Sequence, residues 1–181
     1  FIGAGNMGLP MLKNLLKSGF DVKAYDINAK ITKKMEKDNI KTVNNLRAMG
    51  NSNFIISMLP NTQNVESVLN NTSGINQFLK PGTIVIDMST IASSSAILIG
   101  KNLQKNQVDF LDAPVSGGIN GAVAAKLSIM VGGKKEVFKK ALNILNSMGN
   151  KIIYAGKPGM GQVFKMCNQI MASSHIQAMC E

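Results

Sequence analysis

The sequence has no tryptophan, two cysteines and one histidine, and aromatic residues make up only 5% of it. Arg47 is its sole arginine, and acidic residues number 10 against 20 basic ones. Each scarcity removes a class of function. One histidine (His175) and two cysteines (Cys167 and Cys180), at no metal-ligand spacing, leave no set that could hold zinc, so no metal is expected. The cysteines stand thirteen residues apart on what reads as one helix. That is about 20 Å of rise, too far for a disulfide. They are expected to be buried thiols in a reducing compartment, the cytoplasm or else the mitochondrial matrix. Few aromatics and a single guanidinium argue against base stacking and against phosphate or guanine readout. The net charge of +10 therefore reads as lysine-rich solvated faces with a bias towards small anionic ligands, not as a nucleic-acid surface. No apolar run reaches the roughly 20 residues of a membrane span, so no membrane partner is expected.

What is there fits a folded α/β chain. Hydrophobic residues make up 45% and charged residues 17% of 181, enough for one sizeable core. Short β-branched runs alternate with amphipathic stretches, the pattern of βαβ units on a parallel sheet. The runs predict strands at Phe1–Ile2, Val22–Asp26, Phe54–Leu59, Thr83–Asp87, Phe110–Ala113, Leu127–Val131 and Lys151–Tyr154. Helices are predicted at Met7–Ser18, Ala29–Lys37, Gln63–Leu69, Ser93–Gln104 and Lys135–Met148. Gly19 reads as a helix stop, Pro10 sits where the first turn tolerates proline, and Asn28 can cap the second helix. From Gly161, Val163, Phe164, Cys167, Ile170, Met171 and Ser174 recur at helical spacing. The fold class is a Rossmann-type doubly wound, mostly parallel sheet over residues 1–158. Residues 159–181 are read as the start of a long interdomain helix leading to an all-α domain beyond the sequence.

The glycine turn Gly3-Ala4-Gly5-Asn6-Met7-Gly8, between a strand and a helix, is the dinucleotide fingerprint. Its first glycine permits the tight turn, its second lets backbone approach the pyrophosphate, and its third lets helix and strand pack closely. The helix N-terminus then offers N–H groups to the phosphates. Glycine turns are common, so the weight comes from Asp26 at the end of the next strand, where an acid accepts bonds from the ribose hydroxyls. A carboxylate there repels a 2′-phosphate, and no arginine follows it in Ile27-Asn28-Ala29. The residues favour NAD over NADP.

With its motifs in order, the chain resembles the β-hydroxyacid dehydrogenase family, of the 3-hydroxyisobutyrate dehydrogenase and tartronate semialdehyde reductase type. The motifs carrying this run from Phe1 to Met11 through Met58-Leu59-Pro60, Asp87-Met88-Ser89-Thr90 and Asp112-Ala113-Pro114-Val115-Ser116-Gly117-Gly118 to Gly161–Gln169. The resemblance implies that Leu59, Pro60 and Asn64 line the cofactor groove and that Thr90 lies beside the nicotinamide. It implies that Ser116, Gly117 and Gly118 receive a substrate carboxylate, that Lys165 is catalytic and that Asn168 helps to hold substrate. It also implies hydride transfer between a nicotinamide cofactor and a small anionic hydroxyacid or its semialdehyde, and a homo-oligomer formed through the C-terminal domain.

The chemistry of these residues agrees with those roles. Successive glycines can expose backbone N–H groups as a concave nest, and a serine hydroxyl adds a donor. Lys165 lies among Val163, Phe164, Met166 and Cys167, with Asn168 at i+3 on its face. Partial desolvation lowers a lysine's pKa towards the range where it can exchange a proton. His175 lacks an acid one turn away and reads as structural. Two other readings compete: a non-catalytic dinucleotide-binding relative with a nucleic-acid or scaffolding role, and an imine reductase. Lys165 argues against both, because the resemblance places another residue there in those groups.

Overall fold

The computed structural model describes residues 1–70 and 74–181. Three parallel strands form its centre: β1 (Phe54–Ser57), β2 (Ile84–Asp87) and β3 (Asp109–Asp112). The sheet continues through β5 (Leu127–Gly133), which runs antiparallel to β3 and to the two-residue β4 (Val115–Ser116), while β6 (Gly149–Gly156) pairs parallel with β5. On the other side of β1 the pairing shrinks to parallel bridges: Ile2 to Ser57, Ile2 to Tyr25, and Ala24 to Thr42. Read across, the chain segments lie in the order Thr42, Ala24–Tyr25, Ile2, β1, β2, β3. This is the doubly wound arrangement, with the order reversing between Ile2 and β1. Ligands of such sheets bind at that reversal, outside the carboxyl ends of the strands.

Successive strand residues face opposite sides, and the two sides carry separate cores. Ile55, Val85 and Phe110 pack with Val65 and Leu69 of α3 (Thr62–Leu69) and with Ala96, Ile99 and Leu103 of α4 (Ser93–Lys105). Ile56, Ile84, Ile86 and Leu111 pack with Met11, Leu12 and Leu15 of α1 (Gly8–Lys17) and with Val137, Ala141, Ile144 and Leu145 of α6 (Lys135–Asn146). Asn14 on α1 is buried because its Nδ2 donates to the Ala122 carbonyl of the short α5 (Gly118–Val123) at 2.6 Å. Asn28 caps α2 (Ala29–Lys37) by accepting from the Lys30 N–H at 2.9 Å.

The expected run Val22–Asp26 is not a strand but two single bridges. Its neighbours, Ile2 and Thr42, each offer one paired position, too few for a ladder. Phe1–Ile2 is likewise a bridge. The sequence also gave no sign of β4, of α5 or of the 3₁₀ turns Leu46–Met49 and Ile75–Phe78, which are too short to show a period.

The last helix, α7 (Met160–Cys180), crosses the ends of β3 and β5. It can do so because Gly161 has no side chain: a Cβ there would run into the carbonyls of Met130 and Asp112. Its apolar stripe behaves otherwise than its spacing implied. Phe164, Ile170 and Met171 stay exposed, and the buried positions are Gly161, Gln162 and Lys165. Cys167 and Cys180 are exposed as well, which corrects the expectation of buried thiols. Both lie beyond the first turns of α7, the part that packs on the sheet. Among the described residues no helix is long and apolar enough to cross a membrane, and no cluster could hold a metal ion.

Candidate dinucleotide groove and reactive lysine

At the reversal point lies a groove of about 550 Å³. Its floor is Gly3, Gly5, Asn6, Met7 and Gly8, one side is Tyr25, Asp26 and Ile27, and the other is Met58, Leu59, Pro60 and Asn64. The three glycines do three different jobs. Gly3 has φ +88, and a Cβ there would meet Met58 O and, at 2.9 Å, Leu59 Cδ2. At Gly8 a Cβ would collide with the Gly3 carbonyl, so α1 can start against the turn only without one. Gly5 meets nothing within 4 Å: its open side is groove. Backbone is thus bare where a pyrophosphate would rest, and α1 has no side-chain cap to occupy its first N–H groups.

Asp26 is fixed by its neighbours. The Ala4 N–H donates to its Oδ2 at 2.8 Å and the Asn28 N–H to its Oδ1 at 2.8 Å. Ala4 therefore orients the carboxylate and does not line the groove itself. The remaining lone pairs face groove space, suited to two ribose hydroxyls. Leu46, Ile31 and Val68 complete an apolar wall that sequence reasoning missed. Val68 was within reach, since Asn64 and Val68 are one turn apart on α3. Leu46 was not, because its 3₁₀ turn has no periodic signal.

Thr90 lies outside that groove, exposed just beyond β2. The other predicted residues gather around α7. Asn168 Nδ2 donates to Ser116 Oγ at 3.3 Å, joining α7 to the loop in which Gly117 and Gly118 adopt φ +129 and +62. Lys165 is 8% exposed, and burial holds its ammonium below the ordinary lysine pKa. Its Nζ donates to Gln169 Oε1 at 2.7 Å, and Asn168 Nδ2 donates to the same oxygen at 3.3 Å. Gln169 was not singled out from sequence, although i+4 spacing puts it on the lysine's face. A buried amine, a hydroxyl and two carboxamides thus meet beside a positive-φ loop. That set can bind a small anion and move one proton.

The family model for the NAD-binding domain of 6-phosphogluconate dehydrogenase matches residues 1–156. The chain is 40% identical over 174 residues to the NAD-dependent L-serine dehydrogenase of Pseudomonas aeruginosa, covering 95% of this chain and 58% of that one. It is 37% identical over 172 residues to the mitochondrial 3-hydroxyisobutyrate dehydrogenase of Mus musculus, covering 94% and 51%. The chain belongs to the β-hydroxyacid dehydrogenase family. Among solved structures, the 3-hydroxyisobutyrate dehydrogenase of Mycobacterium tuberculosis with L-serine superposes with a TM-score of 0.90 at 33% identity, over 95% of this chain and 58% of that one. The chain spans little more than half the length of these relatives.

In this family member two buried carboxylates sit side by side where β2 and β3 end, since Asp87 and Asp112 are register partners. Burial raises Asp87 to about 6 against the opposing pull of its bonds from Ser89 and Ser57. Asp87 Oδ1 accepts from Ser89 Oγ at 2.6 Å and Ser57 Oγ at 2.8 Å, while Oδ2 has no partner among the described residues. Burial likewise raises Asp112 to about 6, opposed by N–H bonds from Gly159 (2.7 Å) and Gln162 (3.1 Å).

The glycine turn yields a paired expectation. Gly8→Ala should lose about 3 kcal/mol of stability or more in urea unfolding, because backbone must move. Gly5→Ala should fold normally yet weaken reduced-nicotinamide binding, followed by fluorescence, by about tenfold or more. Equal folding of both variants would contradict the packing assigned to Gly8. The buried acids yield a second expectation. With folded values near 6 against an ordinary 3.8, the folded chain holds more protons than the unfolded one between those limits. Stability therefore falls as pH rises through that window and is level above it. Asp87→Asn should remove on the order of 1–3 kcal/mol of that fall; an unchanged slope in urea unfolding at pH 4.5 and 7 would exclude Asp87 as a source.

Proposed function

We propose that the chain binds NAD in the groove and that the protein reversibly oxidises a small β-hydroxyacid to its semialdehyde, with Lys165 as the proton-transfer residue. The observation that carries this reading is the buried Lys165, its ammonium held below the ordinary pKa, beside Ser116, Asn168 and Gln169. We further divide the chain into a nucleotide-binding unit, residues 1–158, and an interdomain helix over 159–181.

The residues fit the cofactor part by part. Gly5 and the start of α1 leave bare backbone for the pyrophosphate. Asp26, fixed by Ala4 and Asn28, accepts the ribose hydroxyls and repels a 2′-phosphate, which favours NAD over NADP. Ile27, Ile31, Leu46 and Val68 supply apolar surface for the adenine. Leu59, Pro60 and Asn64 line the opposite side, leading to Thr90 next to the nicotinamide end.

The substrate class follows from chemistry shared by the relatives' names. L-Serine and 3-hydroxyisobutyrate both carry a primary alcohol one carbon from the carbon that bears the carboxylate. The Ser116-Gly117-Gly118 loop, with its positive φ angles, receives that carboxylate on backbone N–H groups and the serine hydroxyl. Asn168, tied to Ser116, helps to hold the substrate. A bound nicotinamide would supply the acceptor for the hydride of the carbinol C–H bond. Neutral Lys165 accepts the hydroxyl proton on Nζ as the O–H electron pair becomes the carbonyl π bond. In the reverse direction its ammonium polarises the carbonyl and returns the proton to oxygen. Gln169 accepts one N–H of Lys165 and so keeps the amine aimed.

Two measurements check this. Lys165→Ala should lower turnover of NAD⁺ with L-serine and with 3-hydroxyisobutyrate by about 10³-fold or more, with reduced-cofactor affinity kept within about twofold; residual activity near wild type removes Lys165 from the reaction. In wild type, alcohol oxidation should rise with pH as Lys165 loses its proton, with its inflection below that of an ordinary lysine, and aldehyde reduction should fall across the same range. An inflection at the ordinary value would show that the amine is solvated.

A further inference from the structure

Gln162 is 4% exposed, takes no part in the groove, and yet spends both ends of its carboxamide on backbone groups of another segment. Its Nε2 donates to the Ser89 carbonyl at 2.9 Å and its Oε1 accepts from the Ile91 N–H at 3.1 Å. These two backbone groups flank Thr90. The Gln162 N–H itself donates to Asp112 Oδ2. Lys165 follows one helical turn later on the same face. On the far side of the grip, Ser89 Oγ donates to Asp87 and accepts from the Leu59 N–H at 2.9 Å, which ties in the second cofactor loop. One carboxamide therefore links the loop assigned to the nicotinamide end to the helix that carries the lysine.

We propose that Gln162 is a positioning residue for the reaction: by clamping the backbone on both sides of Thr90 it fixes where Lys165 stands relative to the nicotinamide end of the groove. This rests on the reading of Lys165 as the proton-transfer residue. Asp112 supports the clamp by holding the Gly159 and Gln162 N–H groups, so the first turn of α7 cannot slide along the ends of β3 and β5. Two hydrogen bonds to successive backbone groups fix rotation as well as distance, which single-point packing would not. A misplacement of about 1 Å is costly in hydride and proton transfer, where reacting atoms must be aligned. The position is also crowded against error: neighbouring Gly161 admits no Cβ, so the helix has one seat on the sheet.

The test uses Gln162→Met, which keeps length and burial but neither hydrogen bond, with Asp112→Asn as a second variant that weakens the same seat from the sheet side. The readout is the titration of Lys165 by competitive labelling with acetic anhydride and mass spectrometry, which needs no substrate. In Gln162→Met the Lys165 titration should move up towards that of an ordinary lysine, while reduced-cofactor affinity stays within about twofold. With L-serine and 3-hydroxyisobutyrate, kcat should drop about tenfold or more and the KM for NAD⁺ should hardly change. Asp112→Asn should move the lysine in the same direction. A Lys165 titration unchanged in both variants overturns the clamp. Full activity of Lys165→Ala would instead overturn the functional reading, so the two failures are told apart.

Discussion

Asp112 accepts the first amides of α7 on a carboxylate buried at the end of β3, and the rest of the candidate site is hung from that contact. An N-terminal helix turn presents unsatisfied N–H groups, and an anion is the partner that suits them. Here the anion is part of the sheet. The cost is a carboxyl raised to about 6 by burial, beside a second one at Asp87. Two buried acids that form no ion pair among the described residues are a poor way to stabilise a core. They are a good way to hold a helix, two loops and a strand end in one register, because Asp87 Oδ1 and both Asp112 oxygens accept directional bonds.

The same economy of backbone contact appears at the other end of the groove. Asp26 is oriented by the Ala4 and Asn28 N–H groups, so the glycine turn and the acid proposed to hold the ribose are one hydrogen-bonded unit. Gly8 is pinned against the Gly3 carbonyl, whereas Gly5 faces open space. Close packing at two glycines leaves the third free, and the proposed cofactor seat uses the free one. In the proposed reaction the groove supplies the cofactor seat and α7 the proton. The Asp87–Ser89–Gln162 network is the physical link between them.

Much of this was legible in the residues. The strand–turn–helix beginning at Gly3 and the alternation of β-branched runs with amphipathic helices gave the doubly wound sheet and its ligand edge. Asp26 was legible because its distance from the turn is set by one helix and one strand. Lys165 was singled out through the motifs around it, and the fold buries it beside Ser116 and Asn168. Burial on α7 was not legible, since its apolar residues point outward while a glutamine and a lysine point in. Periodicity reports which face is apolar, and here polar bonds to Asp112 and Ser89 decide which face is inside. Gln162 was missed because its partners, Ser89 and Ile91, are distant in sequence, whereas Leu46 lies in a 3₁₀ turn with no period and Gln169, one turn from Lys165, was within reach. The strand expected at Val22–Asp26 failed because ladder length depends on neighbours, not on the run itself.

The most direct measurement is a crystal structure of the protein with reduced nicotinamide cofactor bound. The account predicts the pyrophosphate on the backbone of Gly5 at the start of α1, the ribose of the adenosine on Asp26, and the nicotinamide ring between Thr90 and Lys165. A cofactor seated in the groove with its nicotinamide directed away from Lys165, or one bound outside the groove altogether, would contradict it.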